Sequence, residues 1–177
     1  LFLTTYINAA LLTVLCVFMF AGFYIYCRPR DELWSTVAFS MVPVYGVGNT
    51  VSYLSQVLVV PDLIAVFNDP AGSEIGETLL KLTLHTWQGS AVEALNSGAY
   101  AALGIPSIIF WMIAFRHEKG LRIAGLLLAI SGVLSIIAFL GVVFSSRQLF
   151  FLSPLGGFVF LVSLFPISWH FLRPVER

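Results

Sequence analysis

The sequence is poor in charge. Lysine and arginine together contribute 9 of its 177 residues, and aspartate and glutamate contribute another 9. About a quarter of the residues of a soluble globular domain are charged, so this chain has too few charges to cover a surface that faces water. Because 59% of the residues are hydrophobic, the apolar surface is expected to face lipid. A formal net charge of zero gives no indication of nucleic-acid binding.

Cysteine is scarce as well. Cys16 and Cys27 are the two cysteines, and both lie in the first apolar stretch. The eleven-residue separation between them corresponds to about 16 Å along a helix, whereas a disulfide needs Cα atoms within about 7 Å. A disulfide between the two is therefore excluded, and both are expected to be small packing residues.

Signatures of chemistry are missing too. The sequence has no nucleophile motif, no glycine-rich phosphate loop and no zinc-protease helix. His85, His117 and His170 have no suitably spaced Cys, Asp or Glu to complete a set of metal ligands. We therefore expect no metal, no cofactor and no catalytic residue, and we favour a non-enzymatic protein over an enzyme.

What the sequence does contain is five long apolar stretches, bounded by charges or by proline and glycine. They cover residues 1–27, 34–60, 91–115, 121–144 and 149–171. Each is long enough to cross a hydrocarbon core of about 30 Å, and backbone hydrogen bonding within lipid then requires helices, since two-residue alternation is absent. The sequence predicts an all-α polytopic membrane protein, with one transmembrane domain over residues 1–177 and five transmembrane helices.

The basic residues are distributed unequally between the two ends of these spans. Alternating the spans places only Lys81 and Arg147 on one side and the other seven on the opposite side: Arg28, Arg30, Arg116, Lys119, Arg122, Arg173 and Arg177. Basic loops stay in the cytoplasm, which predicts a cytoplasmic C-terminus, an outer connection over residues 61–90 and a multi-pass location in a bacterial inner membrane. The N-terminus is then outside, unless a further helix precedes Leu1.

The outer connection has a helix signature of its own. Residues 68–73 combine Asn, Asp, Pro and Gly, which is turn chemistry. Ser73 is placed to cap a following helix, whose first turn carries Glu74 and Glu77 at the favourable dipole end. Apolar residues recur at helical spacing after it: Ile75, Leu79 and Leu82. We expect a short amphipathic helix on the outer surface.

Polar side chains form one stripe on each of two neighbouring spans. The candidate residues are Tyr45, Asn49, Ser52 and Gln56 on the second span, and Glu93, Asn96 and Tyr100 on the third. In antiparallel helices, residues of equal depth have numbers with a constant sum, which pairs Gln56 with Glu93 and Ser52 with Asn96. We predict that the stripes face each other or a shared cleft, although such residues can also serve only as contacts between helices.

Glu93 is the one acidic residue inside an apolar stretch. An ionisable group within a membrane is costly and often functional, so one hypothesis is a carboxyl that binds a proton or a substrate in the cleft. The alternative is a boundary residue that reaches water at the outer headgroups. Small residues on the fourth span, Gly125, Ala129 and Gly132, predict close helix packing.

Three functional hypotheses follow from these patterns. The first is a non-enzymatic subunit or small membrane module that packs against other membrane protein chains or copies of itself, since the loops are too short for a soluble domain. The second is a small transporter or channel that uses the polar cleft. The third is a membrane enzyme or lipid-binding protein that uses the same cleft.

Overall fold

A computed structural model describes residues 2–172, and this part of the chain is helical with no strand. The helices are α1 (Phe2–Cys27), α2 (Glu32–Leu58), α3 (Val60–Asn68), α4 (Ser73–Thr83), α5 (Ala91–Ile113), α6 (Arg122–Val143), α7 (Arg147–Phe150) and α8 (Leu152–Leu172). A short 3-10 turn, Phe115–His117, follows α5.

Five helical segments in the described part are long and apolar enough to cross a membrane. They are Leu3–Cys27, Glu32–Asn68, Ala91–His117, Arg122–Val143 and Arg147–Leu172. The predicted all-α class with five helices of membrane length is confirmed.

The second segment is longer than the sequence predicted, because the chain continues helically beyond Pro61. Helix α2 ends at Leu58, and α3 begins at Val60 with Pro61 in its first turn. A proline is tolerated there because the N–H groups of a first turn have no partner within the helix. The expected connection over residues 61–90 therefore contains two helices, α3 and α4, rather than one.

Helix α4 differs from the prediction at its start. Gly72 is the N-cap and no side chain caps the helix, so the expected cap by Ser73 is wrong. The turn before it, in which the Ala71 N–H donates to Asp69 Oδ1 at 3.0 Å, already places Gly72 at the cap. Gly76 lies against Phe67 of α3, while the three apolar residues of the predicted amphipathic face are exposed: Ile75, Leu79 and Leu82.

The long helices pack in the order α1, α2, α5, α6, α8, each against the next. The row curves into an incomplete ring, since α1 and α8 meet at one end through aromatic side chains. Phe171 lies 6.4 Å from Phe23 and 5.2 Å from Tyr26 between ring centroids. Helix α5 occupies the centre of the row and is the most buried of the membrane-length helices.

Basic residues cluster at the end of the bundle where α1 and α8 meet, here called the basic end. Arg30 joins Glu118 in a salt bridge of 2.5 Å, which links the α1–α2 turn to the α5–α6 turn. At the opposite end, here called the connection end, Arg147 Nε donates to Gln88 Oε1 at 3.2 Å. Arg173 and Arg177, which were also predicted on the basic side, lie outside the described residues.

An aromatic core fills the basic half of the bundle. Phe20, Phe110 and Phe115 are fully buried and Phe23 is 3% exposed. Their rings pack mostly edge to face, with centroids 5.2 Å apart for Phe23 and Phe115, a favoured aromatic geometry.

Glycines bring α5 into backbone contact with its neighbour α6. A Cβ added at Gly132 would lie 2.5 Å from the Gly104 carbonyl oxygen, and a Cβ at Gly104 would lie 2.5 Å from the Gly132 oxygen. On the other flank, a Cβ at Gly48 of α2 would lie 2.8 Å from Ala99 Cβ. The predicted small-residue packing of α6 is therefore present, and Gly104 supplies its counterpart.

Gly132→Ala is expected to destabilise the bundle by about 1–3 kcal/mol, because the added methyl group meets backbone rather than a movable side chain. Gly22→Ala is the matched control. Gly22 has no atom within 4 Å of an added Cβ, so alanine there should be neutral or stabilise α1 by up to ~1 kcal/mol. Unfolding of both variants in mixed detergent micelles measures the difference, and equal stability would contradict the backbone contact.

Candidate functional site

The two predicted polar stripes lie on helices that pack side by side. Asn96 Nδ2 of α5 donates to Asn49 Oδ1 of α2 at 2.9 Å, and Asn49 is fully buried. Ser52 is buried in the same seam but donates to the Gly48 carbonyl of its own helix at 2.8 Å. The seam is therefore closely packed, with one hydrogen bond between amide side chains across it.

The pairing across the seam differs from the predicted depths. Asn96 contacts Asn49 instead of Ser52, and Tyr100 packs against Tyr45 with ring centroids 5.7 Å apart. The close approach of Gly48 to Ala99 sets this register. This contact lies within one or two residues of the predicted depth match, so the side-chain partners differ while the register of the two helices stays close to the prediction.

Gln56 has a different role from the one predicted. It is fully buried, and it contacts the segment before α5 rather than α5 itself. Its Nε2 donates to the Thr83 carbonyl at 2.9 Å, and its Oε1 accepts from the His85 N–H at 3.0 Å. One side chain at the end of α2 thus holds the segment that carries His85.

Glu93 serves as a helix cap. Its Oε2 accepts from the Gly89 N–H at 2.6 Å, while the Glu93 N–H donates to the Ser90 hydroxyl at 2.9 Å. This reciprocal arrangement is close to a capping box. Glu93 faces a small pocket of about 50 Å³ that it shares with Gly141 and Ser145, which separates it from the other candidate residues.

A larger cavity lies on the open side of the ring. It has a volume of about 470 Å³ and is bounded by α1 and α8 at its flanks and by α2, α5 and α6 behind. Its wall is mainly apolar, and Leu12 and Leu161 at the flanks are more than half exposed. The cavity therefore opens sideways, between α1 and α8.

Three of the predicted residues line this cavity: Tyr45, Asn96 and Tyr100. Asn49, Ser52, Gln56 and Glu93 do not. The structure adds Tyr53 and His85 at the connection end, and Thr13 and Cys16 from α1. Tyr53 lies on the polar face of α2, so the sequence pattern indicates it as a lining residue. Helices α1 and α8 have no polar stripe, so the sequence gives no sign that they line the cavity.

Four polar side chains gather in the part of the cavity nearest the connection end. We call Tyr53, His85, Asn96 and Tyr100 the mouth cluster. The Tyr53 and Tyr100 hydroxyl oxygens are 2.8 Å apart, and the His85 ring packs 5.9 Å from the Tyr53 ring. The ring of Tyr6 in α1 lies beside this cluster, 5.7 Å from the His85 ring.

Deeper polar groups of the cavity use their protons on backbone carbonyls. Thr13 donates to Ala9 at 2.9 Å, Ser107 to Leu103 at 2.9 Å, and Ser131 to Gly156 at 2.8 Å. The Tyr45 hydroxyl lies among the side chains of Thr13, Cys16 and Asn49.

The described lining residues include no Asp, Glu, Lys or Arg. No three His, Cys, Asp or Glu residues gather within residues 2–172 in a way that could hold a metal.

Comparison of the chain with protein-family models, with curated proteins and with solved structures finds no match. The functional argument therefore depends on the geometry of the cavity.

Glu93→Gln is expected to lower the free energy of unfolding by less than about 1 kcal/mol, because the amide oxygen can still accept from Gly89 and only a charge at the helix N-terminus is lost. Glu93→Leu removes the acceptor and should cost about 0.5–2 kcal/mol. Unfolding of both variants in detergent measures which of them loses more free energy of unfolding. An equal loss in both would show that the negative charge, rather than the cap, is what the fold requires.

Proposed function

We propose that the chain is a multi-pass membrane protein that binds a small apolar or amphiphilic molecule in the cavity between α1 and α8. The observation that carries this proposal is the cavity itself. Its volume of about 470 Å³ lies within the roughly 300–1,000 Å³ typical of ligand sites. Its mainly apolar wall with a few converging polar groups is also typical of such sites.

The route of entry supports a ligand that comes from lipid. α1 and α8 contact each other through aromatic rings at the basic end, and Leu12 and Leu161, which line the cavity near the middle of these helices, are exposed. A molecule dissolved in the bilayer can pass between them without crossing water. This is the lipid-binding form of the third hypothesis from the sequence, now assigned to a different set of helices.

The closed basic half favours binding over conduction. Phe20, Phe23, Phe110 and Phe115 form a packed aromatic core in the basic half of the bundle and are absent from the cavity lining, which supports a binding site more than a continuous path. Coupled transport through Glu93 has less support, because its carboxylate accepts from Gly89 and lies outside the cavity.

Ala9→Trp is expected to abolish ligand retention, because Ala9 lines the cavity and an indole there occupies its volume. Ala10→Trp, on the neighbouring position outside the lining, is the matched control. The three proteins are purified from membranes in a mild detergent, and extracted small molecules are quantified by liquid chromatography and mass spectrometry. We expect one compound class at near-stoichiometric amount in wild type and Ala10→Trp, and its loss in Ala9→Trp.

If wild type and Ala9→Trp retain the same compounds in the same amounts, the cavity is not their site and the proposal fails. Thermal unfolding of both tryptophan variants identifies any general loss of folding, since a misfolded Ala9→Trp protein would also lose stability relative to Ala10→Trp.

We further propose that the basic end faces the cytoplasm, so that the cavity opens into the outer half of the bilayer. Of the described basic residues, Lys81 and Arg147 lie at the connection end, and five lie at the basic end: Arg28, Arg30, Arg116, Lys119 and Arg122. An excess of this kind marks cytoplasmic loops.

Single cysteines introduced in a background that lacks Cys16 and Cys27 test this orientation. Ser73→Cys in the connection should react with a membrane-impermeant maleimide in intact cells. Lys119→Cys at the basic end should react only after the cells are permeabilised. The reverse pattern would overturn the proposed orientation without affecting the cavity.

A further inference from the structure

The mouth cluster contains a hydroxyl pair with a spare donor. Tyr53 and Tyr100 form one hydrogen bond, at 2.8 Å, and neither hydroxyl makes another to a described residue. In such a pair one proton lies between the two oxygens, and the second hydroxyl proton remains available. Tyr53 is 7% exposed, so water reaches this donor poorly.

Two further polar atoms beside this pair can each form a hydrogen bond that no described residue supplies. Asn96 donates through Nδ2 to Asn49, whereas its Oδ1 has no hydrogen bond to any described residue. His85 Nε2 is buried and has no partner in residues 2–172. A buried polar atom without a partner is rare in proteins and costs free energy, so a polar group of a ligand that reached His85 Nε2 would be stabilised, and the Asn96 oxygen offers a second contact beside it.

No fixed charge accompanies these atoms. The described basic side chains at the connection end already have partners, since Lys81 pairs with Glu77 and Arg147 donates to Gln88. Neither they nor any Asp, Glu, Lys or Arg is among the described lining residues of the cavity. A charged head group in this apolar site would lose its hydration without gaining a counter-ion, which is strongly unfavourable.

We infer that the cavity selects an uncharged amphiphile with a hydroxyl or carbonyl head group, which hydrogen-bonds to the mouth cluster while its hydrocarbon part extends along α8. The hydrocarbon part packs against Phe160 and Leu164, which line the cavity and are half-buried, while Leu161 borders its opening. The donors at that depth are already used on backbone carbonyls. This inference rests on the proposed binding function and adds the chemical class of the ligand.

Photolabelling with matched probes tests the inference. Four probes carry the same linear chain and the same diazirine position, and they end in an alcohol, a sulfonate, a primary ammonium or a methyl group. Each is incorporated at equal mole fraction into nanodiscs that contain the full chain. Labelled peptides are mapped by mass spectrometry, and the yield at residues 160–164 is compared between probes. We expect the alcohol to label these positions at least about tenfold more than either charged probe.

The paired variant Tyr53→Phe/Tyr100→Phe removes the two hydroxyls and keeps both rings. Because one hydrogen bond contributes about 1 kcal/mol, alcohol labelling should fall by roughly three- to tenfold. Labelling by the methyl-ended probe should not change, which controls for the shape and stability of the cavity. Ala9→Trp should abolish labelling by all four probes.

The outcomes separate the two proposals. If the methyl-ended probe labels residues 160–164 and Ala9→Trp prevents this labelling, the binding function holds. If charged and uncharged probes then label these residues equally, only the head-group inference is overturned. Alcohol labelling that does not fall in Tyr53→Phe/Tyr100→Phe also overturns it. If no probe labels these residues in wild type, both proposals fail.

Discussion

The contact on which the rest of the structure depends is the backbone approach of α5 to the helices on its two sides. Gly104 meets Gly132 of α6, and Ala99 meets Gly48 of α2, at distances that leave no room for an added methyl group. In lipid, where we propose that these helices lie, joining helices brings no hydrophobic gain, so contacts of this kind carry much of the association. They make α2, α5 and α6 a tight central layer.

The cavity is a consequence of that layer. α1 packs on α2 and α8 packs on α6, so both stand at the edges of the layer and leave α5 uncovered between them. Aromatic side chains fill the gap in the basic half, where Phe23 and Phe110 meet at 6.3 Å. Toward the connection end the side chains that face the gap are smaller, among them Ala9 and Ser135, and space remains.

Hydropathy predicted the helical class and the five long segments, because continuous apolar runs depend only on local composition. Periodicity also identified Asn49 and Asn96 as members of facing stripes. It could not separate a packing seam from a cavity, since polar residues at the same spacing serve both. The roles of Glu93 and Gln56 depend on main-chain partners, Gly89, Thr83 and His85, whose positions follow from the path of the connection. The predicted second span ended at Pro61, because the sequence does not show that a new helix, α3, begins there with Pro61 in its first turn.

Aromatic rings at the basic end join α1 to α8. The width of the opening therefore depends on the angle between these two helices. Helix α8 has 21 residues and is therefore about 31 Å long. Pivoting it by about 10° around Phe171 would displace its far end by about 5 Å, comparable to the diameter of a hydrocarbon chain. Because Ser131 of α6 donates to the Gly156 carbonyl near that far end, the contact between α6 and α8 opposes such a pivot and determines the width of the opening together with the three aromatic rings.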